Sequence, residues 1–220
     1  MHLLSAYDHI VWDFNGTILD DVRHGIEAVN TLLSRRGLPQ LSSIEEYYGV
    51  FAFPIISYYD KLGLTAVDDF DTLAHEWIAE YRKEEHLIPP REGAKDLIYA
   101  IHKAGLPQSV LSATEEEMLR TQLSYLGLAD AFENVLGRTD IYATDKTAIA
   151  VRFRASHPDA RMLMIGDTDH DLATAKAAGM DCILLEGGHQ SPAYLASLGC
   201  TVVRDFAQLM ERLFADEDTL

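Results

Sequence analysis

The chain has 220 residues, 48% of them hydrophobic and 24% charged. That is enough apolar material for one sizeable core, or for one domain carrying an insertion. A formal net charge of −17 excludes nucleic acid and anionic membranes as natural partners, and a phosphorylated ligand would need local help from a cation, a lysine or a helix N-terminus. No stretch is apolar for long enough to span a bilayer, and no signal-peptide pattern is present. Cys182 and Cys200 sit in apolar, strand-like contexts and read as buried free thiols. The expected compartment is therefore the reducing cytoplasm.

Residues 8–13 are mostly apolar, as in a strand buried on both faces. They run into Asp13-Phe14-Asn15-Gly16-Thr17, which reads as a strand end followed by a tight turn. From 20 to 36 the spacing becomes helical, with Val22, Ile26, Val29, Leu32 and Leu33 on one face. Ser43 opens a short helix, Pro54 another, and 69–87 reads as a longer amphipathic helix stopped by Pro89-Pro90. The block 20–88 thus carries no strand signal and reads as a helical module inserted after the first strand. Beyond Pro90 the pattern alternates: helix 94–103, strand 108–111, helix 115–126, strand 132–136, helix 145–156, strand 161–165, helix 172–178, strand 182–185, strand 201–203 and helix 206–214. Alternation of this kind predicts an α/β fold, a doubly wound parallel sheet with a Rossmann-like core at 1–19 and 89–220 and an inserted α-helical cap at 20–88.

Polar residues gather at the predicted strand ends: Asp13 and Asn15, Ser112, then Asp167, Asp169 and Asp171, with Lys146 opening a helix. A parallel sheet brings such ends to one edge. Carboxylates at 13 and 167 would form a hard oxygen site suited to Mg²⁺.

This set resembles the haloacid dehalogenase-like superfamily, specifically its phosphoglycolate phosphatase-like branch with a helical cap. The matching stretches are Asp13-Phe14-Asn15-Gly16-Thr17, Val110-Leu111-Ser112, Lys146, and Gly166-Asp167-Thr168-Asp169-His170-Asp171 with the Ala-rich helix that follows. The resemblance implies a Mg²⁺-dependent hydrolase of a small phosphorylated metabolite, acting through an aspartyl-phosphate on Asp13. It implies metal ligation by Asp13, Asp167 and the backbone carbonyl of Asn15. It places Thr17, Ser112, Ala113 and Lys146 at the phosphate and Asp171 in support, in a monomer or homodimer. Arg23 and His24, in the first cap helix, are the cap groups expected to meet substrate. The departure is Asn15, where phosphatases of the family carry an aspartic acid that protonates the leaving alcohol and then activates water. An amide does neither, and loss of such a group costs about 10²–10⁴-fold. Three readings stay open: a slow or specialised phosphatase, its proton coming from elsewhere such as His24, Tyr47 or Tyr48; cleavage of a carbon–phosphorus or carbon–halogen bond by the same nucleophile; or a non-catalytic phospho-ligand sensor or interaction protein.

Overall fold

The computed structural model describes residues 2–142 and 145–215. Six parallel strands form one sheet: β1 (His9–Trp12), β2 (Gln108–Glu115), β3 (Asn134–Arg138), β4 (Met162–Gly166), β5 (Asp181–Leu185) and β6 (Thr201–Val203). Their order is β3-β2-β1-β4-β5-β6, so the chain builds outward from β1 on one side, then returns to its other side. Beyond the carboxyl ends of β1 and β4 lies the crevice that such a reversal creates.

β1 is fully buried because it is central. Ile10 and Trp12 join one apolar layer with Leu97, Ile98 and Phe206, and Val11 joins the opposite layer with Phe153, Met162 and Met164. That two-sided burial explains its unbroken apolar run. The indole of Trp12 donates to Gln108 Oε1 at 2.9 Å, which removes an otherwise costly buried N–H. From residue 94 onward five helices flank the sheet: α5 (Ala94–Lys103), α6 (Glu116–Leu126), α7 (Thr147–Ala155), α8 (Asp169–Ala178) and α10 (Phe206–Phe214), with a short α9 (Pro192–Ser197) between β5 and β6.

Between β1 and β2 come four further helices: α1 (Val22–Arg35), α2 (Ile44–Val50), α3 (Ile55–Lys61) and α4 (Phe70–Tyr81). They share a small core of their own, built on Val29, Leu32, Leu33, Tyr58, Tyr59, Leu64 and Leu73. The two chain segments joining them to the sheet run side by side. Asp20 N donates to Pro89 O at 3.0 Å, and Arg91 N donates to Ile18 O at 2.8 Å.

Several boundaries differ from the sequence reading. The predicted helix 69–87 stops at Tyr81, and Glu85–Leu87 forms a separate 3₁₀ turn. The strand expected at 108–111 continues to Glu115, which pairs with Arg138 after a register shift. Its partner, expected at 132–136, lies instead at Asn134–Arg138. The helix expected at 172 begins at Asp169, because Thr168 and Asp171 form a capping box. Cys182 and Cys200 are free thiols, half-buried where full burial was expected. Among the described residues, no helix is long and apolar enough to cross a membrane.

Candidate active site

Asp13 is the first residue after β1, and its N–H donates to Ile165 O of the adjacent β4 at 2.8 Å. That bond fixes the backbone, and with it the direction of the carboxylate. Asp167 follows β4 directly, so two neighbouring strands deliver two buried carboxylates to one point. Asp171 adds a third from the first turn of α8. Oxygens of Asp13, Asp167 and Asp171 all lie within 4.8 Å of one another.

Lys146 caps the N-terminus of α7 and is 3% exposed. Its ammonium donates to Asp13 Oδ1 and stands 2.6 Å from Asp171 Oδ1, outside good hydrogen-bond angles to the latter. Burial alone would favour a neutral lysine, but Asp13 and Asp171 outweigh it and hold the amine protonated. Asp171 is held by its second oxygen too, which accepts from Thr168 Oγ1 at 2.7 Å and from the amides of Thr168 and Asp167 at 2.9 and 3.1 Å. Burial works against its ionisation, yet Lys146 and these donors lower its pKa below the usual range.

Asp167 is held less strongly. It accepts from Thr17 Oγ1 at 2.8 Å and from His189 N at 2.6 Å. Burial, then repulsion from Asp171, raises its pKa. Burial likewise raises Asp13, against the pull of Lys146. Three carboxylates around one lysine leave negative charge uncompensated in a low-dielectric site. Two glycines let the chain close over Asp167. A Cβ at Gly188 would stand 2.1 Å from Asp167 Oδ2, and one at Gly16, where φ is +73°, would stand 2.5 Å away. The donor set, all hard oxygen, and its excess charge fit a divalent cation such as Mg²⁺. Asp171 is drawn to Lys146 by one oxygen and to Thr168 and the Asp167 amide by the other, so Asp13 and Asp167 are the candidate ligands.

Asn15 is woven into the wall. Its Nδ2 donates to Asp21 Oδ2 at 2.7 Å, and its Oδ1 accepts from Thr114 Oγ1 at 2.7 Å and Ser112 Oγ at 3.3 Å. Asp21 is 2% exposed and accepts also from Tyr81 Oη at 2.9 Å and Gly16 N at 2.8 Å. His189 stands beyond, its Nε2 3.6 Å from Asp21 Oδ1 and its Nδ1 2.6 Å from Tyr47 Oη. Burial would lower the imidazole's pKa, but Asp21 first, then Asp167 and Asp13, push it up to about 9.

The expected site residues are distributed as follows. Asp13, Lys146, Asp167 and Asp171 come together, with Asn15, Ser112 and Ala113 beside them on the same cavity. Thr17 is fully buried and gives its hydroxyl to Asp167, so it positions that carboxylate and is not placed to meet a phosphate. Arg23 is exposed, and His24 turns its Nε2 to Tyr81 O at 2.7 Å; neither lines the cavity. Tyr48 does not line it either, whereas Tyr47 does. Lys61 and Lys83, the lysines of the helical insertion, are exposed and away from the cavity. Sequence reasoning missed Asp21, His189 and Thr114. Asp21 carried a signal, being a carboxylate just beyond the first turn. His189 follows the Gly187-Gly188 pair, which marked a turn and nothing more.

The geometry agrees with the comparisons to known proteins. A family model described as haloacid dehalogenase-like hydrolase matches residues 10–185. The phosphoglycolate phosphatase of Rhodospirillum rubrum is 28% identical over 216 residues, which cover 91% of this chain and 88% of that protein. The phosphoglycolate phosphatase of Pseudomonas fluorescens is 24% identical over 208 residues, covering 89% and 75%. A haloacid dehalogenase-like family hydrolase of Streptococcus pneumoniae shares the fold, with a TM-score of 0.79 at 16% identity over 94% of this chain and 98% of the other. With four fifths of its length matched and the strand-end carboxylates converging, the chain belongs to the haloacid dehalogenase-like hydrolase family.

Proposed function

We propose that this protein hydrolyses a phosphate monoester by nucleophilic attack of Asp13 on phosphorus. The observation that carries this reading is the buried meeting of Asp13 with Lys146, Asp167 and Asp171 at the carboxyl ends of β1 and β4. Asp13 Oδ1 is taken by Lys146, and among the described residues no protein donor reaches Oδ2. Oδ2 is therefore the attacking atom: its bond to phosphorus forms as the bond to the ester oxygen breaks, and that oxygen leaves with the electron pair. Water then cleaves the aspartyl-phosphate, which releases phosphate and restores the carboxylate. Lys146 holds Asp13 in line and sets a fixed positive charge beside the transferring group. Ser112 and Ala113 line the same wall and are the groups to receive phosphoryl oxygens. A divalent cation held by Asp13, Asp167 and the backbone carbonyl of Asn15 would supply the charge that brings two anions together. The helical insertion, hinged on the paired segments near 18–21 and 88–91, would close over the substrate and exclude water.

Carbon–phosphorus cleavage has less support, because no lysine of the insertion lines the cavity. The sensor reading keeps one specific support: the fully bonded amide of Asn15 offers no acid or base. A panel of phosphate esters with Mg²⁺, run on the native protein and on Asp13→Asn, separates these. Turnover in the first and its loss by at least about 10³-fold in the second is expected. Equal rates in both would overturn the nucleophile assignment. Saturable binding of a phosphonate with no turnover of any ester would favour the sensor.

A further inference from the structure

The cavity that begins at Asp13 continues beneath the helical insertion, and its far wall is apolar. Phe51, Phe53, Phe70, Trp77 and Ile78 line it together with Met118 of α6. The free volume of the whole cavity, its Asp13 end included, is about 140 Å³, so it takes only a small ligand, on the scale of the roughly 150 Å³ that accepts a benzene ring. Among the described lining residues, the cationic side chains are Lys146 and His189, together with His170, whose pKa burial lowers. Lys146 is already matched to Asp13 and Asp171, and His189 to Asp21. Glu115 also lines the wall, and its carboxylate is paired with Arg82. A second anionic group on the substrate, such as a carboxylate, would meet no unmatched cation among the described lining residues, only neutral hydroxyls such as that of Tyr58. An aromatic ring would instead meet the aromatic side chains of that lining.

A separate observation points the same way. The amide at Asn15, bonded to Asp21 and Thr114, has no proton to give to a leaving oxygen. An alkoxide leaves poorly without one. A phenolate, whose conjugate acid has a pKa of about 10, can leave as the anion. We propose that the substrate of this site is an aryl phosphate monoester, with its ring in the apolar chamber and its phosphoryl group at Asp13, and not a small carboxylated phosphate. This rests on the phosphomonoester reading above and names its substrate class. The reaction balances as phosphoryl transfer to Asp13 Oδ2 with departure of the phenolate, which takes a proton from solvent; water then releases phosphate.

The test compares phenyl phosphate with 2-phosphoglycolate on the native protein with Mg²⁺, and measures the binding of phenylphosphonate and phosphonoacetate. Trp77 lines the chamber while Trp12 is buried in the sheet, so quenching of Trp77 emission reports occupancy. A kcat/KM for phenyl phosphate at least about tenfold above that for 2-phosphoglycolate is expected, with the preference narrowed or reversed in Ile78→Arg, which places a cation in the apolar wall. Equal or better use of 2-phosphoglycolate would overturn the inference while leaving the phosphatase reading intact. If neither ester turns over, the phosphatase reading falls and binding decides. Phenylphosphonate binding about tenfold tighter than phosphonoacetate would uphold the aryl site, and equal or weaker binding would overturn it. Should Ile78→Arg not fold, the native comparisons decide alone.

Discussion

Asn15 is more than a missing carboxylate, because its two ends face different partners. Its NH₂ meets a buried carboxylate, Asp21, and its carbonyl oxygen meets two hydroxyls, those of Thr114 and Ser112. An amide satisfies both sides at once without taking up a proton. A carboxylate in its place would stand about where Nδ2 stands, 2.7 Å from Asp21 Oδ2. Two carboxylates that close cannot both ionise, so the pair would retain one proton at neutral pH. Asn15→Asp would therefore create a protonated acid in the site and not simply an extra charge. The expected result depends on the leaving group. Hydrolysis of an alkyl phosphate should rise, within the 10²–10⁴-fold span of general-acid catalysis, while hydrolysis of an aryl phosphate, which needs no proton, should change far less. Rates for phenyl phosphate and a simple alkyl phosphate on both proteins check this. Equal factors on the two esters would mean that the shared proton never reaches the leaving oxygen.

Along single elements, the sequence was most readable where one pattern had one cause. β1 read as a doubly buried strand because Ile10, Val11 and Trp12 are all inside, and helix 94–103 appeared with its expected ends. Reading failed where a distant partner decided. Glu115 stays in the β2 ladder because Arg138 pairs with it. Their place near the hinge suits Arg23 and His24 to substrate, but the first is exposed to solvent and the second is turned to Tyr81. Tyr47, Asp21 and His189 meet across three segments that no local spacing relates. β1 also carries a titrating group at its start. His9 is buried, its Nε2 paired with Ser109 Oγ at 2.8 Å and its ring among Phe153 and His157. Burial, with His157 adding, lowers its pKa from 6.5 to about 4. The unfolded chain thus binds more protons than the folded one between those values. The stability this site contributes is complete above pH 6.5 and is lost as pH falls towards 4. The midpoint of thermal unfolding should fall between pH 7 and 4.5, and fall less in His9→Gln, which keeps a partner for Ser109 without charging. An identical fall in both proteins would exclude His9 as a source of acid sensitivity.

The molecule as a whole sets its charge against its ligand. A formal net charge of −17 surrounds the site at which the proposed reaction would bind a phosphate dianion, and the cavity wall carries Asp21 and Glu115, paired with His189 and Arg82. The positive groups that would draw the dianion in act at short range: Lys146 is buried and already paired, and a bound divalent cation would lie equally deep. Long-range encounter is therefore repulsive and contact attractive. Salt separates the two, because the Debye length shrinks from about 30 Å at 0.01 M to about 10 Å at 0.1 M. Over that range the field of the distant surface carboxylates is cut off, while the buried ion pairs barely change. kcat/KM for an anionic ester should thus rise with monovalent salt at saturating Mg²⁺, with kcat nearly flat. The usual steering of a charged ligand towards an opposite charge gives the reverse dependence. A neutral ligand of the apolar chamber should show neither trend. If kcat/KM falls with salt instead, the mouth of the site must carry local positive potential strong enough to override the surface, and the bound cation, not Lys146, would be its source.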